Sequence, residues 1–170
     1  IGYKYSDYIV GTLPNLEEHI INKIGPCKKV GIIPNGFSKE FIELAENIDR
    51  TDLPSFTSVK EFKVGYFGSF GLGNALDTLF KTIVLMEKDK TIKFILFGEG
   101  QLKQFYKNKY SHLSNLIFME KIPRNCIFDI ASQMDILYFS CSKKLRWKYG
   151  QSLQKLVDYM LSSRPIIGSF

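Results

Sequence analysis

Phe62-Lys63-Val64-Gly65-Tyr66-Phe67 runs directly into Gly68-Ser69-Phe70-Gly71-Leu72-Gly73, and then into a segment with Leu76, Leu79, Phe80 and Ile83 at helical spacing. The first six residues are rich in aromatic and apolar side chains and read as a strand. The next six form a glycine-rich loop. The four apolar positions after it mark a helix packed on a core, and Asn74 with Asp77 is expected to cap it. A strand, a short loop and an amphipathic helix make the first half of a βαβ unit.

The same rhythm continues on both sides. Downstream, Ile92 to Phe97 reads as a strand ending in Gly98-Glu99-Gly100, followed by a polar helix to about Tyr110. Leu116 to Met119 is a strand, Pro123 sits in the first turn of the next helix, and Ile136 to Phe139 is a strand. Upstream, Tyr8-Ile9-Val10 is short and apolar, and Asn15-Leu16-Glu17-Glu18 is a capping box with Leu16, Ile20 and Ile24 on one side of its helix. Val30 to Ile33 is a strand stopped by the turn Pro34-Asn35-Gly36, and Ser38 caps a short helix through Ala45. Residues 47–60 are polar and read as a linker or hinge. Continuous apolar strands that alternate with helices predict an α/β fold, a Rossmann-like parallel sheet with helices on both faces. Ligands of such sheets bind beyond the carboxyl ends of the strands. Here those ends carry Gly68–Gly73, Gly98–Gly100, Glu120–Pro123 and Ser140–Ser152.

The last of these ends opens a second informative stretch, Tyr149-Gly150-Gln151-Ser152-Leu153-Gln154-Lys155-Leu156-Val157-Asp158-Tyr159-Met160, with the strand Pro165-Ile166-Ile167 after it. Its apolar positions 153, 156, 157, 160 and 161 form a core-facing stripe. Gln151, Lys155 and Asp158 fall on another face. A helix N-terminus attracts phosphate, a lysine beside it adds a full charge, and a carboxylate one turn on accepts hydrogen bonds from a sugar diol. That combination suits a nucleoside diphosphate.

The chain has 170 residues, 45% of them hydrophobic and 24% charged, enough for one sizeable core. No run of about 18 apolar residues occurs, so no transmembrane helix is expected, and no charged-then-apolar segment opens the sequence, so no secretory leader is expected. There is no initiator Met, so a fragment or trimmed product is expected. Cys27, Cys126 and Cys141 lack metal or redox spacing and are expected to be reduced thiols of a cytoplasmic protein. The formal net charge of +6 admits nucleic acid, membrane or a phosphorylated ligand without choosing among them.

Other motifs leave two readings open. The loop Gly68–Gly73 lacks G-x-G-x-x-G and Walker A spacing, so it is either a phosphate cradle or a tight turn that needs positive φ. Glu99 either faces the ligand crevice or is a solvated carboxylate at a helix start. Lys143, Lys144, Arg146 and Lys148 interleave with Trp147 and Tyr149, a pattern used for nucleic acid or membrane contact. The cluster leads into the helix start at Gly150, which favours a local anion site, and no nucleic-acid partner is expected. His19 and His112 read as surface residues, and no metal site is expected. No G-x-S-x-G elbow occurs.

Taken in order, five pieces resemble the retaining glycosyltransferases of GT-B fold, of the family-four type: Ser6–Val10, Val30–Phe37, Tyr66–Asp77, Ile95–Gly100 and Tyr149–Gly168. The resemblance implies that residues 1–46 end the N-terminal half, 47–60 link the halves, and 61–170 form an incomplete C-terminal nucleotide-sugar domain. It places the donor-binding residues at Gly68, Ser69, Gly71, Asn74, Gly98, Glu99, Ile122, Arg146, Gly150, Gln151, Ser152, Lys155 and Asp158. Asp158 matches the second glutamate of the family's E-x7-E motif, which meets the donor ribose; the first falls at Gly150 and is absent. The pattern Y-G-x-S-x-x-K-L-x-[DE]-Y fits better, as Tyr149, Gly150, Ser152, Lys155, Leu156, Asp158 and Tyr159. Where many relatives carry an Arg and a Lys after the first C-domain strand, this chain has Ser69, Leu72 and Asn74.

The resemblance implies transfer of a sugar, with retention, from a nucleoside-diphosphate sugar to a glycan or lipid-linked precursor, as in cell-surface polysaccharide synthesis. It implies no cofactor and no metal. Most catalytic residues would lie outside this chain, which alone is expected not to turn over. A lipid-linked acceptor would bring peripheral contact with the inner face of the membrane. The rival expectation is a non-catalytic Rossmann-like module that binds a nucleotide or a partner.

Overall fold

The structure is a computed structural model that describes residues 2–26, 29–47, 50–51, 53–142 and 148–170. The chain divides into two compact units, Ile1–Phe37 with Lys143–Val157, and Ser38–Ser142 with Asp158–Phe170.

The first unit holds α1 (Gly2–Tyr5), β1 (Tyr8–Gly11), α2 (Leu16–Ile24) and β2 (Lys29–Ile32). β1 and β2 pair in parallel from Tyr8↔Lys29 to Gly11↔Ile32. Ile9, Leu16 and Ile20 form a small core, with Leu13, Ile24 and Val30 packed against it. The helix expected after Asn15 is present, but the Asn15 side chain makes no capping bond. Its backbone N–H instead donates to the Tyr149 carbonyl at 2.9 Å.

The second unit begins with α3 (Lys39–Glu46), which Ser38 caps as expected by accepting from Phe41 N at 3.1 Å. There follow β3 (Phe62–Phe67), α4 (Asp77–Leu85), β4 (Ile92–Phe97), α5 (Lys103–Tyr110), β5 (Leu116–Met119), α6 (Ile127–Ala131), β6 (Ile136–Ser140), α7 (Gln154–Leu161) and β7 (Ile166–Ser169). The first four residues of α7 group with the first unit. The five strands form one parallel sheet in the order β5-β4-β3-β6-β7. This is the α/β Rossmann-like layer expected. Consecutive buried residues at 94–97 and 137–140 mean that both faces of the sheet are covered.

One face is closed by α4 and α5. Leu76, Leu79, Phe80 and Ile83 are all buried there with Tyr66, Phe94, Leu96 and Tyr106. The Phe80 ring stacks on Tyr106 at 4.0 Å and on Tyr110 at 4.8 Å, each stack adding about 0.5–1.5 kcal/mol beyond area burial. On the other face Phe67 meets Tyr159 of α7, and Phe97 meets Phe56. Residues 47–60, read from sequence as a linker, group with this unit. Phe56 is buried, its N–H donates to Gln133 Oε1 at 2.8 Å, and Arg50 pairs with Asp129 at 2.9 Å. The compact units divide after Phe37, after Ser142 and after Val157.

Candidate functional site

Strand order reverses between β3 and β6, and a ligand crevice forms at such a switch point. β3 pairs with β4 along all six residues, but with β6 only at Val64↔Ile136 and Gly65↔Leu137. Beyond that point the two strands part. The Tyr159 hydroxyl fills the gap: it accepts from Phe67 N at 2.8 Å and donates to the Tyr138 carbonyl at 3.1 Å. Burial pushes its phenol far above the ordinary value, so it stays a protonated donor.

The loops beyond β3 and β4 are laced together. Gly68 N donates to Phe97 O at 3.0 Å, Phe70 N to Glu99 O at 2.8 Å, and Leu102 N to Phe70 O at 2.9 Å. Residues 72–74 form a 3-10 turn closed by Ala75 in the left-handed region, so the loop does not open α4 directly. Asn74 caps no helix. Its side-chain amide donates to Ser69 O and to Ser69 Oγ, both at 2.8 Å. Ser140 Oγ donates to the Asn74 carbonyl and Ser142 N to the Gly73 carbonyl, which ties the β3 and β6 ends together. Positive φ occurs at Gly98 and Gly100, not in Gly68–Gly73. The amides of Gly68, Phe70, Asn74 and Ala75 all donate to protein carbonyls, an arrangement of a braced turn more than of an open phosphate cradle.

Glu99 is paired. Lys103, only 5% exposed, binds Glu99 and also Glu120 at 2.8 Å, and Lys107 adds a bond to Glu120 at 3.3 Å. Burial alone would lower the Lys103 ammonium, but its hydrogen bonds to Glu120 and Glu99 outweigh that and raise it. The network joins the loop after β4 to the loop after β5. Ile122 lies half-buried on the latter loop, two residues before Arg124.

Asp158 is the buried carboxylate of α7, and its partner was not foreseen. Arg124 donates to Asp158 Oδ1 through Nε at 3.1 Å and Nη2 at 2.8 Å. The guanidinium also lies 4.8 Å over the Phe41 ring, a cation–π contact. Arg124 follows β5, and the neighbouring Tyr159 bonds the last residue of β3, so Asp158 stands at the carboxyl edge of the sheet.

In the first unit, the lead-in to α7 is strapped down. Gly150 has φ +87 and a Cβ there would lie 2.8 Å from Pro14 Cδ. Asn35 N donates to Ser152 Oγ at 3.1 Å and Asn35 Nδ2 to the Ser152 carbonyl at 2.8 Å. The Leu153 carbonyl accepts the first bonds of α7, from Leu156 N at 3.0 Å and Val157 N at 3.4 Å. Gln151 therefore lies on the lead-in rather than on a helical face with Lys155 and Asp158. His19 is half-buried between the rings of Tyr3 and Tyr149, at 5.8 and 4.8 Å, instead of solvated. Arg146, with Lys143, Lys144 and Trp147, lies outside the described residues.

Arg124, Asn35 and Lys103 carry the geometry that sequence reading missed. Their partners Asp158 and Ser152 are 34 and 117 residues away, beyond any local pattern. Lys103 and Glu99 stand four apart, the one pair a helical spacing rule could have found. Among the described residues no group of three or more His, Cys, Asp or Glu could hold a metal, and no helix is long and apolar enough to cross a membrane.

No protein-family model and no curated protein matches the chain by sequence. Its fold is nevertheless that of GT-B glycosyltransferases of known structure. A variant of S. aureus TarM, in complex with fondaparinux, α-GlcNAc-glycerol and UDP, superposes with a TM-score of 0.67 at 14% identity over 98% of this chain and 30% of that one. Anabaena HepE in complex with UDP-glucose gives 0.67 at 15% identity, over 98% of this chain and 46% of that one. WaaG, a glycosyltransferase involved in lipopolysaccharide biosynthesis, gives 0.65 at 10% identity, over 94% and 43%. This chain thus spans less than half the length of each.

Proposed function

We propose that the chain is the donor-binding part of a GT-B glycosyltransferase and holds a nucleoside-diphosphate sugar at the carboxyl edge of its parallel sheet. One observation carries the reading: Asp158, a carboxylate fixed by Arg124, stands at that edge beside the β3/β6 switch point. A carboxylate oriented by a guanidinium accepts hydrogen bonds from a vicinal diol, as on a ribose. Lys155 lies one turn earlier on α7, where the N–H groups and partial positive charge of a helix start suit a diphosphate. The structures of TarM and HepE with UDP or UDP-glucose support a donor of this class.

In the whole enzyme, transfer with retention to a glycan or lipid-linked acceptor would proceed by stabilising charge on the leaving diphosphate in a closed cleft, without a metal. On this reading residues 1–46 end the acceptor half and 61–170 belong to the donor half. A lipid-linked acceptor would place the enzyme in the cytoplasm at the inner face of the membrane.

A thermal-shift comparison of UDP, GDP and ADP with their nucleosides tests the donor assignment. A ligand that binds only the folded chain raises the unfolding midpoint by mass action. One diphosphate is expected to raise it well above its own nucleoside; no shift with any of them contradicts the reading.

A further inference from the structure

Ser152 and Asn35 meet across 117 residues through two hydrogen bonds of one direction. Asn35 donates in both: its backbone N–H to the Ser152 hydroxyl oxygen, its side-chain amide to the Ser152 carbonyl. A hydroxyl carries one proton, and an accepted bond does not use it. Accepting at Oγ also polarises the hydroxyl, so the bond that it donates is strengthened. Serine at a helix start ordinarily accepts from the helix's own N–H groups. Here the Leu153 carbonyl opens α7, and Ser152 stands one residue before it with Oγ engaged by Asn35 instead.

The same lead-in is held at two further points, the Tyr149 carbonyl by Asn15 N and Gly150 against the Pro14 ring. A phosphate oxygen only accepts hydrogen bonds, so a site for it needs donors with fixed aim, and small misplacements are costly. We propose that Asn35 is a positioning residue for a phosphate-bearing ligand: it fixes the entry to α7 and makes the Ser152 hydroxyl a donor toward the anion. This inference rests on the diphosphate reading of α7 given above. It adds to it a residue from the Pro34-Asn35-Gly36 turn, in which sequence reading saw only a strand stop.

The test uses the whole chain with UDP, GDP and ADP by calorimetry, and with the matching nucleoside by ligand-observed NMR. Asn35→Asp is nearly isosteric but turns an oxygen toward the Ser152 carbonyl, and Ser152→Ala removes the hydroxyl. Each is expected to weaken the bound diphosphate about tenfold while leaving the nucleoside within about twofold. The double variant is expected to bind no more than marginally worse than the weaker single one, because both disturb one unit. Equal weakening of diphosphate and nucleoside would mark a merely structural contact and overturn the inference. So would an unchanged diphosphate affinity in Asn35→Asp. Wild-type chain that binds none of the three diphosphates overturns the donor reading, and this inference with it.

Discussion

Arg124 grips Asp158 chiefly by Oδ1, with Nε at 3.1 Å and Nη2 at 2.8 Å, and Nε also reaches Oδ2 at 3.4 Å, while the carboxylate side chain is only 12% exposed. The pair joins the loop after β5 to α7 and is backed by Phe41 of α3. Removing the guanidinium leaves a poorly hydrated carboxylate without this partner. Since Arg124 itself is 44% exposed, the cost falls below that of a fully buried pair. Arg124→Ala is expected to lose about 1–3 kcal/mol in urea unfolding, and Arg124→Lys, which keeps the charge but not the fork, to recover part of it. Unchanged stability in Arg124→Ala would show that the pair does not hold in solution.

Tyr159 is fully buried and its hydroxyl serves both strands at the point where they separate. Tyr159→Phe keeps the ring but strands the Phe67 N–H and the Tyr138 carbonyl in a dry interior. A loss of about 1–3 kcal/mol is expected, measured by chemical denaturation. A loss below about 0.5 kcal/mol would mean that the strands close up and pair once the hydroxyl is gone.

Much of this fold was legible because the local signals and the tertiary demands agree. β3, β4 and β5 lie at the residues expected from their apolar runs, and the α4 stripe at 76, 79, 80 and 83 is buried throughout. What sequence could not carry was decided by contacts between distant segments. Asn15 looks like a helix cap but its N–H serves Tyr149. The glycines in Gly68–Gly73 invite a positive-φ turn, yet the strained backbone is at Gly98 and Gly100, where a second loop crosses. In the candidate site, Asp158 and Ser152 were legible as residue types at a helix start. Arg124 and Asn35, which fix them, were not, since neither forms a pattern with its partner.

The contrast among glycines gives a direct comparison. At Gly98, φ is +143 and a Cβ would stand 1.8 Å from the Gly68 carbonyl oxygen, which is backbone and cannot swing aside. At Gly71, φ is −112 and the nearest atom is Ser69 Oγ at 3.5 Å. Gly98→Ala is expected to cost about 2–4 kcal/mol and Gly71→Ala less than about 0.5 kcal/mol, read from unfolding midpoints. Equal effects would contradict the lacing of the two loops.

The Lys103 network titrates at both ends of the pH scale. Hydrogen bonds with Glu99, then Lys103 and Lys107, hold the Glu120 carboxyl down at about 2 against an ordinary 4.5. A depressed carboxyl stabilises the fold above its ordinary value, and that contribution is lost as pH falls from 4.5 toward 2. The raised Lys103 ammonium works the other way: its contribution is complete below 10.5 and is lost as pH rises through the raised value. Glu120→Gln is expected to flatten the acid limb of a stability–pH curve. The difference should shrink in high salt because Glu120 is 72% exposed. An acid limb unchanged by Glu120→Gln would remove Glu120 from the network's energetics.

Asp158 and the start of α7 are proposed above to hold a nucleoside diphosphate. Calorimetric titration of UDP, GDP and ADP into the chain, beside Asp158→Asn and Lys155→Ala variants checked for folding, tests it most directly. One diphosphate is expected to bind, and each substitution to weaken it about tenfold or more. Binding of none, or binding that both substitutions leave unchanged, would contradict the proposal.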